Sequence, residues 1–409
     1  MSNNSRNLLL ELAQEAIAAV RGDRLVRAAA EQVPDWPALD VLAVGKAASS
    51  MLEGACEMLG PRLRRALLII PDDHPPRPLR DDTRIEIRPG DHPLPGEASI
   101  VAGRRLLEWL PASADPLLVL LSGGASALVE VPAAGISLEV LQRANRWLLG
   151  SGLDISRINA IRKRLSRIKG GQLLRYVGER PIQVWMISDV RGDDPAVIGS
   201  GLLYPPDSAD LNEVDLSGLP EPLRVALNTA PAPAEPLGTV PEHRLLANLR
   251  TACDALAEAA FQRGLRVQIH DTELCGDAAE TGVRLVAELV DAEPGLHVWG
   301  GETTVRLPPQ PGRGGRNQHL ALAVAMVLAG KTGTCLLTLG TDGSDGPTDD
   351  AGALVDGGSI ERGELAGLDA GAALRAADAG TFLEASGDLV STGPTGTNVR
   401  DIVLAWKTP

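Results

Sequence analysis

Several short segments carry residues whose types and spacing suit the handling of an anionic group. In residues 117–131 (LLVLLSGGASALVEV) a buried-strand run ends in Ser122-Gly123-Gly124-Ala125-Ser126 and passes into helix-compatible residues. Glycines let backbone amides approach a ligand closely, and a helix start after a strand favours an anion. Ser126 adds a hydroxyl donor. The same run would serve as a plain strand-to-helix turn, and it matches neither the dinucleotide fingerprint nor the Walker loop. In VLAVGKAAS (41–49), Lys46 follows a predicted strand and is flanked by Gly45 and small residues. The carboxyl ends of strands are where open α/β sheets hold ligands, and an ammonium there can neutralise a transferring phosphoryl group. Most lysines are merely solvated; small neighbours, which leave room for a ligand, set this one apart.

Basic residues concentrate in IRKRLSRIKGGQL (161–173), with Arg162, Lys163, Arg164, Arg167 and Lys169. They cannot all share one helical face, so some are ordinary surface charges and others are available to a carboxylate or phosphate. ISDVRGDDPAVIGSG (187–201) places Asp189, Asp193 and Asp194 after a buried strand. Carboxylates at a strand end commonly hold Mg²⁺, although turns also collect Asp for local hydrogen bonds. A second acidic turn at 339–353 carries Asp342, Asp345, Asp349 and Asp350 without the spacing of a calcium loop. Glu302 follows Gly300-Gly301, and Arg316 follows Gly314-Gly315 at a helix start opened by Asn317 and Gln318. An arginine so placed can clamp phosphate oxygens in a bidentate fork; otherwise it belongs to a surface loop. STGPTGTNVRDIV (391–403) packs Thr392, Thr395, Thr397 and Asn398 among glycines before a strand. No Cys/His metal pattern occurs among six histidines, and no serine lies in a G-x-S-x-G elbow. The set suits phosphoryl transfer, which needs positioning and charge neutralisation more than a nucleophile.

The elements that must position these groups alternate along the chain. Strands are predicted at 40–44, 66–70, 84–88, 116–121 and 182–188, and helices at 8–20, 101–110, 137–149 and 155–168. Buried strands alternating with helices indicate an α/β fold with a largely parallel sheet. Residues 220–241, rich in Pro, Ala and Glu, read as a linker or surface excursion. A second block follows, with a helix at 246–262, a strand in LRVQIH, a helix near 278–290, and then LHVWGG, TTVRL, LALAVAMVLAG, TCLLTLG and DIVLAW.

At 409 residues the chain calls for two domains. Apolar residues at 44% and charged residues at 22% fit a folded protein. A net charge of −14 and only 2% aromatics argue against a nucleic-acid or anionic-membrane partner. The four cysteines lack metal or redox spacing and read as buried thiols, and the polar N-terminus lacks a signal-peptide layout. A cytoplasmic protein is expected.

Nine ordered blocks then carry a family resemblance: VLAVGKAASSML, GDHPLPGEAS, LLSGGASALVEVP, INAIRKRLSRIKGGQL, ISDVRGDDPAVIGSG, GGETTV, GRGGRNQ, GTDGSDGPTDDAGA and TGPTGTNV. From about residue 8 to the end, most weakly over 202–245, the chain resembles the glycerate 2-kinases with a C-terminal MOFRL domain. The resemblance implies transfer of the ATP γ-phosphate to the 2-hydroxyl of D-glycerate, giving 2-phosphoglycerate and ADP with Mg²⁺. It implies a Rossmann-like N-terminal domain (1–237) and a smaller α/β C-terminal domain (238–409, its MOFRL region about 293–405), the active site lying in the cleft between. Residues 238–290 could pack on either. The family's catalytic lysine falls on Lys46 and its essential arginine on Arg316. Ser122, Gly123, Gly124, Ser126, Arg162, Lys163, Asn317, Thr395 and Asn398 become candidates to contact phosphate or acid. Asp189, Asp193 and Glu302 become candidates for the metal, with Asp189 also the candidate base. A small hydroxy acid is the implied partner, and a homodimer is compatible with it.

Two departures bear on the substrate. Ala125 stands where the family's triple glycine has its third member, and Leu202-Leu203 replace the Pro-Thr of an SGPT turn. Either could alter contacts and shift preference among small hydroxy acids. The family's older label, hydroxypyruvate reductase, gives one alternative, against which no nicotinamide fingerprint is present. A non-catalytic nucleotide or metabolite sensor is the other.

Overall fold

The computed structural model describes residues 3–71, 78–150, 155–205, 220–229 and 240–408. The chain forms two compact units, one of residues 22–246 and one of residues 1–21 with 247–409. The division differs from a cut near 237 chiefly because the first helix, α1 (Asn3–Ala19), belongs to the C-terminal unit.

The first unit is organised by β1 (Leu39–Val44), β2 (Leu63–Pro71), β3 (Ile85–Gly90), β4 (Leu117–Leu121), β5 (Ile182–Ile187) and β6 (Glu242–Ala247). Their spatial order is 3-2-1-4-5-6, the doubly wound, Rossmann-like arrangement. The pairings from β3 across to β5 are all parallel. β1 and β4 are buried along their whole length, which is why they read as continuous apolar runs. Helices α2 (Gly22–Ala28), α3 (Ala48–Leu59), α4 (Glu97–Trp109), α5 (Ala125–Leu128), α6 (Leu138–Gly150), α7 (Ile155–Arg164), α8 (Leu174–Val177) and α9 (Glu221–Thr229) complete it. Part of the stretch expected to be a linker is therefore helix: Leu223 and Leu227 of α9 join Leu141, Leu148 and Leu165 in an apolar cluster beside α6 and α7. Residues 230–239 of that stretch lie outside the described residues. The helix predicted over 155–168 ends at Arg164, because residues 165–171 turn to bring Gly170 and Gly171 into left-handed backbone.

The second unit contains α10 (Leu249–Gln262), β7 (Val267–Ile269), α11 (Ala278–Asp291), β8 (Gly295–Gly301), α12 (Arg316–Leu328), β9 (Thr334–Gly340), β10 (Gly352–Asp356), α13 (Ser359–Leu365), α14 (Ala370–Arg375), α15 (Ala379–Ala385), β11 (Leu389–Val390) and β12 (Asp401–Lys407). The sheet runs 11-10-9-12-8-7. Only β7–β8 is parallel; the other four pairings are antiparallel. TTVRL makes no strand, only an isolated bridge from Thr304 to Asp277. Against this sheet α1 buries Leu9, Leu12 and Ala16, and its Arg6 pairs with Asp356 (2.7 Å) and Asp388 (2.8 Å). Among the described residues no helix is long and apolar enough to cross a membrane.

Of the thiols expected to be buried, Cys253 and Cys335 are, Cys56 is half-buried and Cys275 is exposed. Burial pushes Cys335 up to about 12, which keeps it a protonated thiol.

Candidate active site

In a 3-2-1-4-5-6 sheet the chain winds in opposite directions from β1 and β4, and the loops leaving these strands open a crevice. Lys46 and the Ser122–Ser126 run occupy those two loops. The loops are tied together by backbone: the Lys46 N–H donates to the Gly123 carbonyl (2.8 Å), and the Ser122 N–H donates to Val44 (3.0 Å). The Ser122 hydroxyl accepts the Ala47 N–H (3.0 Å), and Ser122 is 0% exposed. Ser122 is thus a latch between the loops rather than a surface offered to a ligand. Gly45, at φ 131°, is needed here because a Cβ would lie 2.2 Å from the Ser122 hydroxyl oxygen.

Gly124, at φ 85°, starts α5, a single helical turn. A Cβ on Gly124 would lie 3.2 Å from Lys46 Cγ and 3.3 Å from His92 Cδ2. Lys46 and His92 therefore converge on this glycine. No residue-level reading singled out His92, although it stands just past β3 and so at the carboxyl edge of the same sheet. Ala125 is fully buried, and its methyl faces Gly199 and the core instead of the crevice. Leu202 and Leu203 are likewise core residues, each 2% exposed. Both sequence departures thus fill the interior, which is a packing reason for them that the residues alone did not disclose.

Within α5 the half-buried Ser126 has its hydroxyl 2.7 Å from that of the buried Ser200, which donates to Asn159 Oδ1 (3.4 Å). Ser200 has φ 58°, in a left-handed region that costs an L-residue about 1–2 kcal/mol.

The basic segment divides. Lys169 is buried against Glu130, whose other oxygen accepts the Ser166 hydroxyl (2.6 Å). Burial pushes Lys169 below its usual range against the pull of Glu130, and losing either partner of such a pair costs about 3–5 kcal/mol. This lysine is structural. Arg162 donates to Asn145 Oδ1 (3.0 Å) and is also lowered by burial, with Glu130 opposing. Lys163 is buried, its stem lying over Gly170.

Asp189 and Asp193 are half-buried in the loop after β5, and Asp193 takes positive φ. Mg²⁺ usually takes one or two carboxylates, with phosphates and water supplying the rest, and this pair has the right donor type. Among the described residues no three His, Cys, Asp or Glu side chains group to hold a metal unaided. Glu302, expected on the metal side, belongs to the other unit and is engaged by an arginine.

That arginine is Arg316, the first residue of α12. Its Nε and Nη2 donate to the two oxygens of Asp401 (2.5 and 2.9 Å), and Nη1 lies 3.0 Å from Glu302 Oε1. Burial disfavours its charge, but Asp401 and Glu302 outweigh this and hold its pKa above the usual range. Beside it Asp345, 1% exposed, accepts the N–H groups of Asn317 (3.0 Å) and Gln318 (2.8 Å) and so caps α12. Burial pushes Asp345 up to about 7 despite these two amides. Asn317 is interior: its Oδ1 accepts the Thr338 hydroxyl (2.5 Å). Thr395 donates to the Thr341 carbonyl (2.6 Å), and the buried Asn398 accepts the Arg400 N–H (3.4 Å). These three shape the loops; in this structure their polar atoms serve the fold.

Residues 8–216 match DUF4147, a domain of unknown function, and residues 295–401 match the MOFRL family. The chain is 36% identical to a D-glycerate 2-kinase of Thermotoga maritima over 98% of this chain and 97% of that protein. It is 40% identical, over 78% of its length and 76% of the relative's, to an Agrobacterium vitis protein provisionally named a hydroxypyruvate reductase. The crystal structure of glycerate kinase from Thermotoga maritima superposes with a TM-score of 0.84 at 35% identity, covering 99% of this chain and 100% of that one. With a relative matched from end to end, and the winding and loops described above, the chain belongs to the glycerate 2-kinase family.

Proposed function

We propose that this protein is a glycerate kinase that transfers the γ-phosphoryl group of ATP to the 2-hydroxyl of D-glycerate, releasing 2-phosphoglycerate and ADP. The observation that carries the reading is the end-to-end match to a D-glycerate 2-kinase, in a chain whose Lys46 stands at the switch point of its sheet. In phosphoryl transfer the barrier falls mainly through alignment and through cations that meet charge on the moving group. Lys46 supplies a compact ammonium, and Arg316 a planar fork whose bidentate geometry Asp401 already demonstrates. To meet a phosphate, Arg316 exchanges Glu302, the more exposed of its two carboxylates. Asp189 and Asp193 would hold Mg²⁺, which when bound offsets phosphate charge. Asp189 is also the carboxylate proposed to take the hydroxyl proton.

A second reading, reduction of hydroxypyruvate, follows from the name of the Agrobacterium vitis relative. The two separate in parallel assays. ADP release is measured with D-glycerate, L-glycerate and tartrate, and NADH absorbance is followed with hydroxypyruvate in the absence of ATP. ADP release with D-glycerate and a flat NADH trace are expected; rapid NADH oxidation without ADP release would replace the kinase by the reductase.

A further inference from the structure

We propose that Ser200 is a positioning residue that fixes the Ser126 hydroxyl as a hydrogen-bond acceptor for a hydroxyl of the acid substrate. This rests on the β4 loop being part of the glycerate site.

Gly199, Ser200 and Gly201 take φ of 58°, 58° and 65°, three left-handed residues in succession. Glycine suits that backbone, and the middle member is nevertheless a serine. The segment is held from outside. The Ser200 and Gly201 carbonyls accept the N–H groups of Gly170 (3.0 Å) and Gly171 (2.7 Å), which are themselves left-handed at 61° and 75°. Lys169, immediately before them, is anchored on Glu130. Two opposed turns thus hold the backbone of Ser200, a residue 1% exposed, with its hydroxyl 2.7 Å from that of Ser126. A buried hydroxyl kept on backbone that favours glycine has a task beyond the turn.

The polarity of that task follows from proton counting. A serine hydroxyl has one proton to donate and two lone pairs. We assign the Ser200 proton to Asn159 Oδ1 (3.4 Å), which leaves the proton of Ser126 to make the 2.7 Å bond between the two serines. Ser126, half-buried at the loop, then has only lone pairs left. A phosphate oxygen has no proton to give them; an alcohol has. The pair therefore favours an alcohol, such as the hydroxyl of the acid, over a phosphate oxygen.

The test compares Ser126→Ala, Ser200→Gly, Ser200→Ala and the Ser126→Ala/Ser200→Gly double variant, in the full-length enzyme, with KM measured separately for D-glycerate and ATP. Ser200→Gly removes the hydroxyl while relieving the backbone, so its melting midpoint should hold or rise; Ser200→Ala removes the hydroxyl alone. Both should raise the glycerate KM about tenfold, the size of one lost hydrogen bond, and leave the ATP KM within about twofold. In the Ser126→Ala background Ser200→Gly should add less than about twofold. The proposal is overturned by a normal glycerate KM in Ser200→Gly beside an impaired Ser126→Ala, by losses that multiply in the double variant, or by a change confined to ATP. Wild-type kinetics in Ser126→Ala would instead remove the β4 loop from the site and take this inference with it.

Discussion

Lys46 emerges from a turn made of backbone, whereas Arg316 is held by side chains. The turn that carries Lys46 is tied amide to carbonyl and amide to a buried hydroxyl, with Gly45 and Gly124 in left-handed conformations. Around Arg316 two carboxylates, Asp401 and Glu302, set the guanidinium, and a third, Asp345, fixes the helix that carries it. The first arrangement determines where a cation begins but tolerates no added atom. The second is equally close-packed at Gly315, where a Cβ would lie 2.3 Å from Asp345, but it depends in addition on a balance of charges. The two cations should therefore fail in different ways.

The largest effects should come from the cations themselves. Lys46→Ala and Arg316→Ala should each lower kcat by about a thousandfold with an unchanged melting midpoint for Lys46→Ala, read by steady-state kinetics and calorimetry. Arg316→Lys should recover little, since an ammonium cannot reproduce the fork. Turnover near wild type in either alanine variant would remove that residue from the chemistry.

Next comes the turn. Gly45→Ala places a methyl 2.2 Å from the Ser122 hydroxyl on backbone at φ 131°, and should destabilise by about 3 kcal/mol, visible as a lower denaturant midpoint. On the other side, Asp401→Asn keeps the shape but removes the charge that orients Arg316. It should cost about 2 kcal/mol in kcat/KM, roughly thirtyfold, with the ATP and glycerate assays showing whether binding or turnover carries it. A comparable loss of stability from Asp401→Asn and of activity from Gly45→Ala would erase the distinction between backbone and side-chain support.

A smaller effect is set by pH. Asp345 is raised to about 7 in the folded chain from an ordinary value of 3.8. Between these values the unfolded chain has released a proton that the folded chain retains, so this group's contribution to stability falls as pH rises from about 4 to about 7 and is flat beyond. Urea midpoints measured across that window should show the wild type losing stability relative to Asp345→Asn as pH rises from about 4 to about 7, the difference levelling off above; a constant difference would contradict the assignment. Least of all, His92→Asn should lower kcat/KM by a few-fold, because its ring borders Gly124 beside Lys46.

What could be read in advance tracks what depends on local sequence. β1, β4 and β5 were legible because strands covered on both faces are continuous apolar runs, and Lys46 because it follows one directly. β10 and β11 were not: GALVD is five residues between turns, and Leu389-Val390 is only two. α1 showed its periodicity but not which sheet it would cover, a choice made by partners near Asp356 and Asp388. Whether Lys169 meets solvent or an anion is open in its basic segment, and only the fold brings up Glu130, far off in sequence, to neutralise it. Ser122 and Asn317 have residue types that suit a ligand, and only the fold shows their polar atoms turned inward. His92 lacked a motif of its own and depended on the order of strands to bring it near Lys46.

The most direct test of the account is the ³¹P spectrum of the product formed from D-glycerate and ATP. Phosphorus on the 2-oxygen couples to the one proton of C2 and gives a doublet, and that signal should accumulate with wild type and be missing with Lys46→Ala and Arg316→Ala over the same period. A triplet from the two protons of C3, or a doublet that grows unchanged in both variants, would contradict it.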